Sequence, residues 1–121
     1  MTYGPYTPVR KAGDLLFVSG QVGIDATTKT AAVQVTEQTK QALRNLEQVL
    51  VSSGASLQDV VKTTVFLTNM DDFAAMNATY EQIFTPPRPA RSTVCVRELP
   101  RLGGDTSLCV EIEAIAHKEV A

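Results

Sequence analysis

The apolar residues of this sequence change their spacing several times, and this change of period constrains the fold more than any other feature. Two segments repeat at helical spacings of three, four and seven residues. The first covers residues 35–50 and places Gln38 among the polar residues of the solvent side. The second covers residues 73–84 and carries an amide, Asn77, on an otherwise apolar stripe. We therefore expect two amphipathic helices.

Short runs of β-branched and apolar residues lie around these helices and favour strands. A hairpin is predicted over residues 9–19, where two runs flank the turn dipeptide Gly13-Asp14 and Gly20 ends the second strand. Further strands are predicted at 60–68, 90–97 and 108–116. The predicted order of elements is β-β-α-β-α-β-β.

The ends of the predicted helices carry residues that are typical of helix caps. Gly54 suits the position that follows the last turn of the first helix. Ser56 and Asp59 form an S-x-x-D pattern that is typical of the cap of a short helical turn. Asn69 supplies a cap for the second helix.

With 121 residues the chain is expected to form a single domain over residues 1–121. Two helices and about five strands predict an α+β fold in which one sheet carries both helices on one face. The chain has no further segment to cover the other face. Self-association is therefore the expected cover.

The charge balance and composition exclude several classes of protein. Lys and Arg number 11 against 13 Asp and Glu, so the net charge of -2 disfavours a protein that binds nucleic acid by neutralising phosphates. No apolar run reaches the ~18 residues that a membrane span needs. We see no secretory leader, and two cysteines are too few for a disulfide framework, so the expected compartment is the cytoplasm.

Motifs that bind cofactors or metals are missing from the sequence. It contains no G-x-x-x-x-G-K, G-x-G-x-x-G, C-x-x-C, H-E-x-x-H or G-x-S-x-G pattern. The single histidine, His117, cannot form a multi-histidine metal site and is expected to be solvated. The sequence therefore gives poor support to chemistry that is driven by a cofactor.

Three charged residues on predicted strands are candidates for chemistry. Arg91 begins a strand directly after a proline-rich loop, where its guanidinium could bind a carboxylate through two hydrogen bonds. The alternative is a solvated arginine at the sheet edge. Glu111 and Glu113 point to the same face of the last strand and suit proton transfer or a charged interface. The alternative is an exposed sheet face.

Polar and aromatic residues at strand and helix ends form a weaker group of candidates. Ser19 and Gly20 offer a hydroxyl and a close approach to the backbone, although such pairs are also common in turns. Asn77 could reach a ligand or bind a neighbouring carbonyl, and Tyr6 could be a lid or simply pack. The two cysteines, Cys95 and Cys109, are expected to be small buried residues.

Several segments, spread in order from about residue 4 to residue 116, occur together in this chain. They are Gly4-Pro5-Tyr6-Thr7-Pro8, Leu16-Phe17-Val18-Ser19-Gly20-Gln21, Asp59-Val60-Val61-Lys62-Thr63-Thr64-Val65-Phe66-Leu67, Met70-Asp71-Asp72-Phe73, Asn77-Ala78-Thr79-Tyr80, Pro89-Ala90-Arg91-Ser92-Thr93-Val94 and Val110-Glu111-Ile112-Glu113-Ala114-Ile115-Ala116. As a set they resemble the RidA (YjgF) family of reactive-intermediate deaminases. The last two segments are the most specific.

The resemblance implies a chorismate-mutase-like α+β fold with a single mixed sheet, and a homotrimer with clefts between its subunits. The implied activity is that of a 2-iminobutanoate/2-iminopropanoate deaminase. Such an enzyme hydrolyses 2-imino acids, and their enamine tautomers, to 2-keto acids and ammonia without a cofactor. Two alternatives stay open: a non-catalytic trimer that binds small 2-keto or amino acids as a regulator, and a holdase-like chaperone.

The same resemblance assigns roles to individual residues. Arg91 matches the arginine that binds the substrate carboxylate, and Glu111 matches the acid that handles the water. The residues that match the lining of the cleft are Tyr6, Ser19, Gly20, Asn77 and Thr93. Thr93 stands where the family often has cysteine, Gly23 stands where proline is frequent, and the loop at 101–107 is longer than is typical.

Overall fold

A computed structural model of the protein describes residues 2–102 and 105–119. Within these residues the chain forms five strands and two α-helices, with a 3₁₀ turn before β3 and another before α2. In chain order the elements are β1 (Val9–Ala12), β2 (Leu15–Val22), α1 (Val35–Ser52), the turn Leu57–Asp59, β3 (Val60–Leu67), the turn Met70–Asp72, α2 (Phe73–Ile83), β4 (Ala90–Cys95) and β5 (Val110–His117). The predicted order of helices and strands is confirmed.

The five strands form one mixed sheet in the order β1-β2-β5-β3-β4. Only β3 and β4 pair in parallel, while the other neighbours are antiparallel. Parallel neighbours need a crossover connection, and α2 provides it between β3 and β4. The α+β fold predicted from the sequence is therefore confirmed.

One face of the sheet is buried beneath the helices. Alternate residues of β5, which are Val110, Ile112, Ala114 and Ala116, are buried in the main core. The apolar stripe of α1 packs on this face, and its residues Leu43, Leu46 and Leu50 are among the largest fully buried side chains. From α2, Tyr80 reaches Thr63 of β3 on the same face.

Much of the opposite face of the sheet is uncovered in the single chain, although Val22, which pairs with Glu111, is buried together with Ile24 and Leu108. Phe17 and Val94 lie on it with exposed fractions of 42% and 41%. Half-buried Phe66 and Ile115 lie between them on the central strands. An apolar sheet face of this kind is typical of a protein interface, so self-association remains the prediction for this surface.

The helix ends follow the sequence signals. Gly54 follows α1 with φ of +83°, a conformation that glycine adopts without strain. The turn after it has the predicted capping box between Ser56 and Asp59. Before α2, the Asn69 side chain accepts a hydrogen bond from the Asp71 backbone N–H at 2.9 Å.

Four details differ from the sequence prediction. The second strand continues through Gly20 to Val22, because an irregularity in the pairing between Val18 and Gln21 accommodates the extra residues. Strand β4 ends two residues before its predicted end, and strand β5 begins two residues after its predicted start. Gln38, predicted on the solvent side, is fully buried. Cys95, predicted to be buried, is exposed, and Cys109 is half-buried.

Candidate functional site

The predicted site residues lie on two different faces of the sheet. Arg91 and Thr93 of β4 pair with Thr63 and Val65 of β3, which are both on the helix-covered face. Glu111 is paired with Phe66 and therefore lies on the uncovered face. Within one chain the sheet itself separates the guanidinium from the carboxylate.

Arg91 is held by aromatic rings rather than by a carboxylate. Its guanidinium carbon lies 4.8 Å from the centroid of the Tyr80 ring and 5.7 Å from that of Phe73. Both rings belong to α2. None of the ion pairs within the described part of the chain includes Arg91. The cation is thus positioned while its N–H groups remain available for an anionic ligand.

Two buried oxygen atoms accompany this guanidinium. Asn77 Oδ1 and Thr93 Oγ1 are buried and have no hydrogen-bond partner among the described residues. Asn77 lies on α2 between Phe73 and Tyr80, at helical spacings of four and three, and Thr93 follows Arg91 by two residues on the same face of β4. A buried polar atom without a partner costs about 1–3 kcal/mol, so this arrangement indicates a site that a ligand or ordered water completes. We call these three polar residues, with their two rings, the Arg91 half-site.

The Glu111 carboxylate lies in an open cavity of about 790 Å³. It is stacked on Gly20 of β2, where a Cβ atom would lie 2.6 Å from Glu111 Oε2. In this conformation of Glu111, only glycine leaves room at position 20. Burial raises the pKa of Glu111, and the neighbouring Glu113 carboxylate raises it further. Glu111 is therefore a carboxyl group that exchanges protons closer to neutral pH than an exposed glutamate does.

The N-terminal segment forms one wall of this cavity. Ser19 anchors the segment, since its Oγ donates to the Thr7 carbonyl at 2.6 Å and its N–H donates to the Pro8 carbonyl at 2.9 Å. Tyr6 is largely exposed and lines the cavity beside Ser19. We call Tyr6, Ser19, Gly20, Glu111 and Glu113 the Glu111 half-site. In the single chain, Ser19 acts as a tether as well as a polar lining group.

The predicted long loop at 101–107 also reaches the cavity, because Leu102 is part of its lining. Residues 103 and 104 lie outside the described residues. From the length of this loop we predict a change in the mouth of the cleft and in the substrate range.

Gln38 is a buried amide that supports the loops around the cavity, although its sequence position predicted the solvent side. Its Nε2 donates to the carbonyls of Ala32 and Ser107 at 2.7 and 3.0 Å, and its Oε1 accepts from the Cys109 N–H at 2.9 Å. The amide therefore ties α1 to the loop that ends beside β5. Residues 35, 38 and 42 follow one another at spacings of three and four, so Gln38 lies on the apolar stripe of α1. This polar residue on an apolar stripe is the feature of the sequence that could have predicted a buried amide.

Gly23 allows this close packing of α1 against the end of β2. A Cβ atom at Gly23 would lie 2.6 Å from the Gln38 carbonyl oxygen. Position 23 therefore has no space for a side chain, which explains why glycine stands here in place of the proline that is frequent in the family. Asn45 completes the contact, because its Nδ2 donates to the carbonyls of Val22 and Ile24.

The remaining polar groups do not form a metal site. Within residues 2–102 and 105–119, no group of three or more His, Cys, Asp or Glu side chains could hold a metal ion. Burial, and to a lesser extent Asp72, raises the pKa of the Cys109 thiol to about 11, so this thiol stays protonated at neutral pH. In the same residues, no helix is long and apolar enough to cross a membrane.

Comparison with known proteins identifies the family. The chain matches the family described as endoribonuclease L-PSP over residues 1–118. A 2-iminobutanoate/2-iminopropanoate deaminase of Salmonella typhimurium is 40% identical over 116 residues, which cover 93% of this chain and 87% of that protein. The chain belongs to the RidA/YjgF family.

Other members of the RidA/YjgF family agree in sequence and in fold. A RutC family protein of Pyrococcus horikoshii is 44% identical over 117 residues, covering 96% of this chain and 89% of that protein. The crystal structure of E. coli TdcF with bound serine superposes with a TM-score of 0.88 at 35% identity, covering 98% of this chain and 91% of that one. The resemblance stated from the sequence is confirmed at the level of the family.

Proposed function

We propose that this protein is a 2-imino acid deaminase, a hydrolase that acts on the C=N bond of 2-iminobutanoate, 2-iminopropanoate and related compounds without a cofactor. The observation that carries the proposal is the Arg91 half-site. It combines a guanidinium that has no ion pair with two buried oxygen atoms that have no hydrogen-bond partner, all judged among the described residues. A small molecule with a carboxylate next to an N–H group matches this set of donors and acceptors.

The working site is proposed to form between two copies of the chain. Arg91 and Glu111 project from opposite faces of one sheet, so a single chain cannot present both to one small substrate. A second copy that covers the apolar face would supply the missing half-site. This requirement supports the homotrimer with clefts between subunits that the resemblance implies.

In the proposed mechanism, Arg91 binds the substrate carboxylate and so fixes the imine carbon in place. The buried oxygens of Asn77 and Thr93 accept hydrogen bonds from the substrate nitrogen or from the water. Tyr6 closes the cavity, and Ser19 and the backbone at Gly20 line the opposite wall. These interactions position the reacting atoms without themselves taking part in proton transfer.

Glu111 is proposed to move the protons. It takes a proton from the water as the water oxygen bonds to the imine carbon and the C=N electron pair moves to nitrogen. It gives that proton to the nitrogen, which completes a carbinolamine. In the second step Glu111 takes the hydroxyl proton and transfers it to the amino group. The C–N bond then breaks, so that ammonia leaves and the carbonyl of the 2-keto acid forms.

The decisive experiment is a competition for the imine. A threonine dehydratase generates 2-iminobutanoate, semicarbazide traps it, and the trapped fraction is measured with and without the protein. A deaminase lowers the trapped fraction in proportion to its concentration. An unchanged trapped fraction would contradict the proposal.

The alternative of a non-catalytic protein that binds small 2-keto or amino acids predicts a different outcome for the same purified protein. A protein that only binds its ligand would bind 2-oxobutanoate in a calorimetric titration but leave the trapped fraction unchanged. The relative with bound serine shows that a protein of this fold can hold a small amino acid. A holdase would do neither, and would instead suppress the aggregation of an unfolded client protein. The cytoplasm remains the predicted compartment.

A further inference from the structure

We propose that Tyr80 and Phe73 are positioning residues for Arg91, which they hold as an aromatic pair in place of the carboxylate that usually accompanies a half-buried arginine. The inference rests on the proposed function for its assay. Its structural basis is the contact of the Arg91 guanidinium with both rings, at 4.8 Å for Tyr80 and 5.7 Å for Phe73.

An aromatic partner suits a carboxylate-binding arginine better than an acidic partner does. A glutamate or aspartate beside Arg91 would occupy the planar N–H edge that the substrate carboxylate needs. The face of an aromatic ring attracts the cation through its quadrupole and leaves that edge unoccupied. No ion pair in the described part of the chain involves Arg91, as this reasoning requires.

The Tyr80 ring is itself fixed by two contacts. Its hydroxyl shares a hydrogen bond of 2.7 Å with Thr63 Oγ1, and both residues are buried. Its ring packs on that of Phe84, with the centroids 4.7 Å apart. Thr63 is also the residue that pairs with Arg91 between β3 and β4. The ring beneath the guanidinium is therefore anchored to the strand next to the one that carries Arg91.

Phe73 completes the pair from the first turn of the same helix. It is 38% exposed, although it is a large apolar residue. Asn77 lies between the two rings along α2, and its buried Oδ1 has no hydrogen-bond partner in the part of the chain that the structure describes. One face of α2 thus positions the guanidinium and presents an acceptor beside it.

Removal of either ring should weaken substrate binding more than turnover, because Glu111 belongs to the other half-site and is unaffected. From the usual strength of cation–π contacts, we expect Phe73→Leu to raise KM about 3-fold and Tyr80→Leu to raise it about 30-fold. In both variants kcat should stay within about 2-fold of the wild type. The Kd for 2-oxobutanoate, measured by calorimetry, should rise by the same factors.

Two further variants separate positioning from simple stability. Tyr80→Phe keeps the ring and loses the bond to Thr63, so it should recover most of the affinity that Tyr80→Leu loses. Phe84→Leu is the matched control, because Phe84 packs on Tyr80 without contacting Arg91, and the Thr63 hydrogen bond still anchors the Tyr80 ring when leucine replaces it. It should lower the thermal midpoint and leave KM and Kd close to the wild type. If Tyr80→Leu does not fold, the more exposed Phe73→Leu still decides the question.

The outcomes separate this inference from the proposed function. If the wild type hydrolyses the imine and both leucine variants show the KM of Phe84→Leu, the positioning role is wrong. If the wild type binds 2-oxobutanoate without hydrolysing the imine, the deaminase assignment is wrong, and the Kd values of the variants decide the positioning role. A wild type that binds no carboxylate ligand overturns both.

Discussion

At the scale of single residues, the site depends on two charged groups, Arg91 and Glu111, neither of which has a partner of opposite charge among the described residues. Arg91 is a cation without an acidic partner within residues 2–102 and 105–119. Glu111 is an acid held near a second acid, Glu113, in a partly buried cavity. The sequence indicated both residues, but it could not indicate their surroundings, which come from α2 in one case and from β2 in the other.

Arg91→Ala should lower kcat/KM for 2-iminobutanoate by about two to four orders of magnitude, because well-placed charge-assisted hydrogen bonds contribute roughly 1.5–3 kcal/mol each. Arg91→Lys should recover only part of this loss, since an ammonium lacks the planar pair of donors. Arg44→Ala, at an exposed position of α1, removes the same charge and should leave kcat/KM unchanged. Activity retained in Arg91→Ala would rule out the mechanism.

Glu111→Gln should abolish most turnover and yet stabilise the fold at neutral pH. The pKa of Glu111 is raised in the folded protein, so the folded state holds its proton more tightly and loses stability as pH rises past the ordinary glutamate pKa. Removing the charge removes that cost. We expect a higher thermal midpoint at pH 7 and a smaller difference at pH 4, measured by calorimetry.

The pH profile offers a second check on Glu111. The carboxylate form is the base, so kcat should fall as pH drops through the raised pKa. Glu113→Gln removes the neighbouring negative charge that contributes to the shift, and should therefore move the acid limb of the profile to lower pH. An acid limb that stays in place would show that another group controls it.

At the scale of elements, the sequence was sufficient for the order of helices and strands but not for every contact between them. Alternation on β5 and the stripes of α1 and α2 follow directly from burial of one face, so they were predictable. The continuation of β2 through Gly20 was not, because the residue that requires glycine there, Glu111, is distant in sequence. Likewise, the partners of Gln38 lie in two separate loops.

Gln38→Met tests how far this one buried amide supports the loops around the cavity. The methionine has a similar volume but cannot pair with the carbonyls of Ala32 and Ser107 or with the Cys109 N–H. We expect a loss of about 2–3 kcal/mol in the free energy of unfolding, measured by urea denaturation. Gln48→Met, at an exposed position of the same helix, should change it by less than about 0.5 kcal/mol. Equal values for the two variants would contradict the role of Gln38.

At the scale of the whole molecule, the two half-sites lie on opposite faces of one sheet, and one of those faces exposes the apolar side chains Phe17 and Val94 beside its carboxylates. The sequence predicted the uncovered face from the element count alone. It could not show that the sheet divides the candidate site, because that follows from the pairing register of β3 with both β4 and β5.

A mixture of two inactive variants provides the sharpest test of a site shared between copies. Arg91→Ala and Glu111→Gln should each form trimers by light scattering and each be inactive. After joint refolding in equal amounts, clefts that combine the intact arginine of one copy with the intact glutamate of another should restore roughly a quarter of the wild-type activity. Mixed trimers without any recovered activity would place both residues in the same copy.

The position of Arg91 and Glu111 on opposite faces of the sheet has a genetic consequence. In a closed ring, each copy would contribute its arginine to one neighbour and its glutamate to the other. A copy that carries both lesions would then disable the clefts on either side of it, including those that it shares with normal copies. Such an allele would be dominant over the wild type, whereas an allele whose product cannot assemble would be recessive.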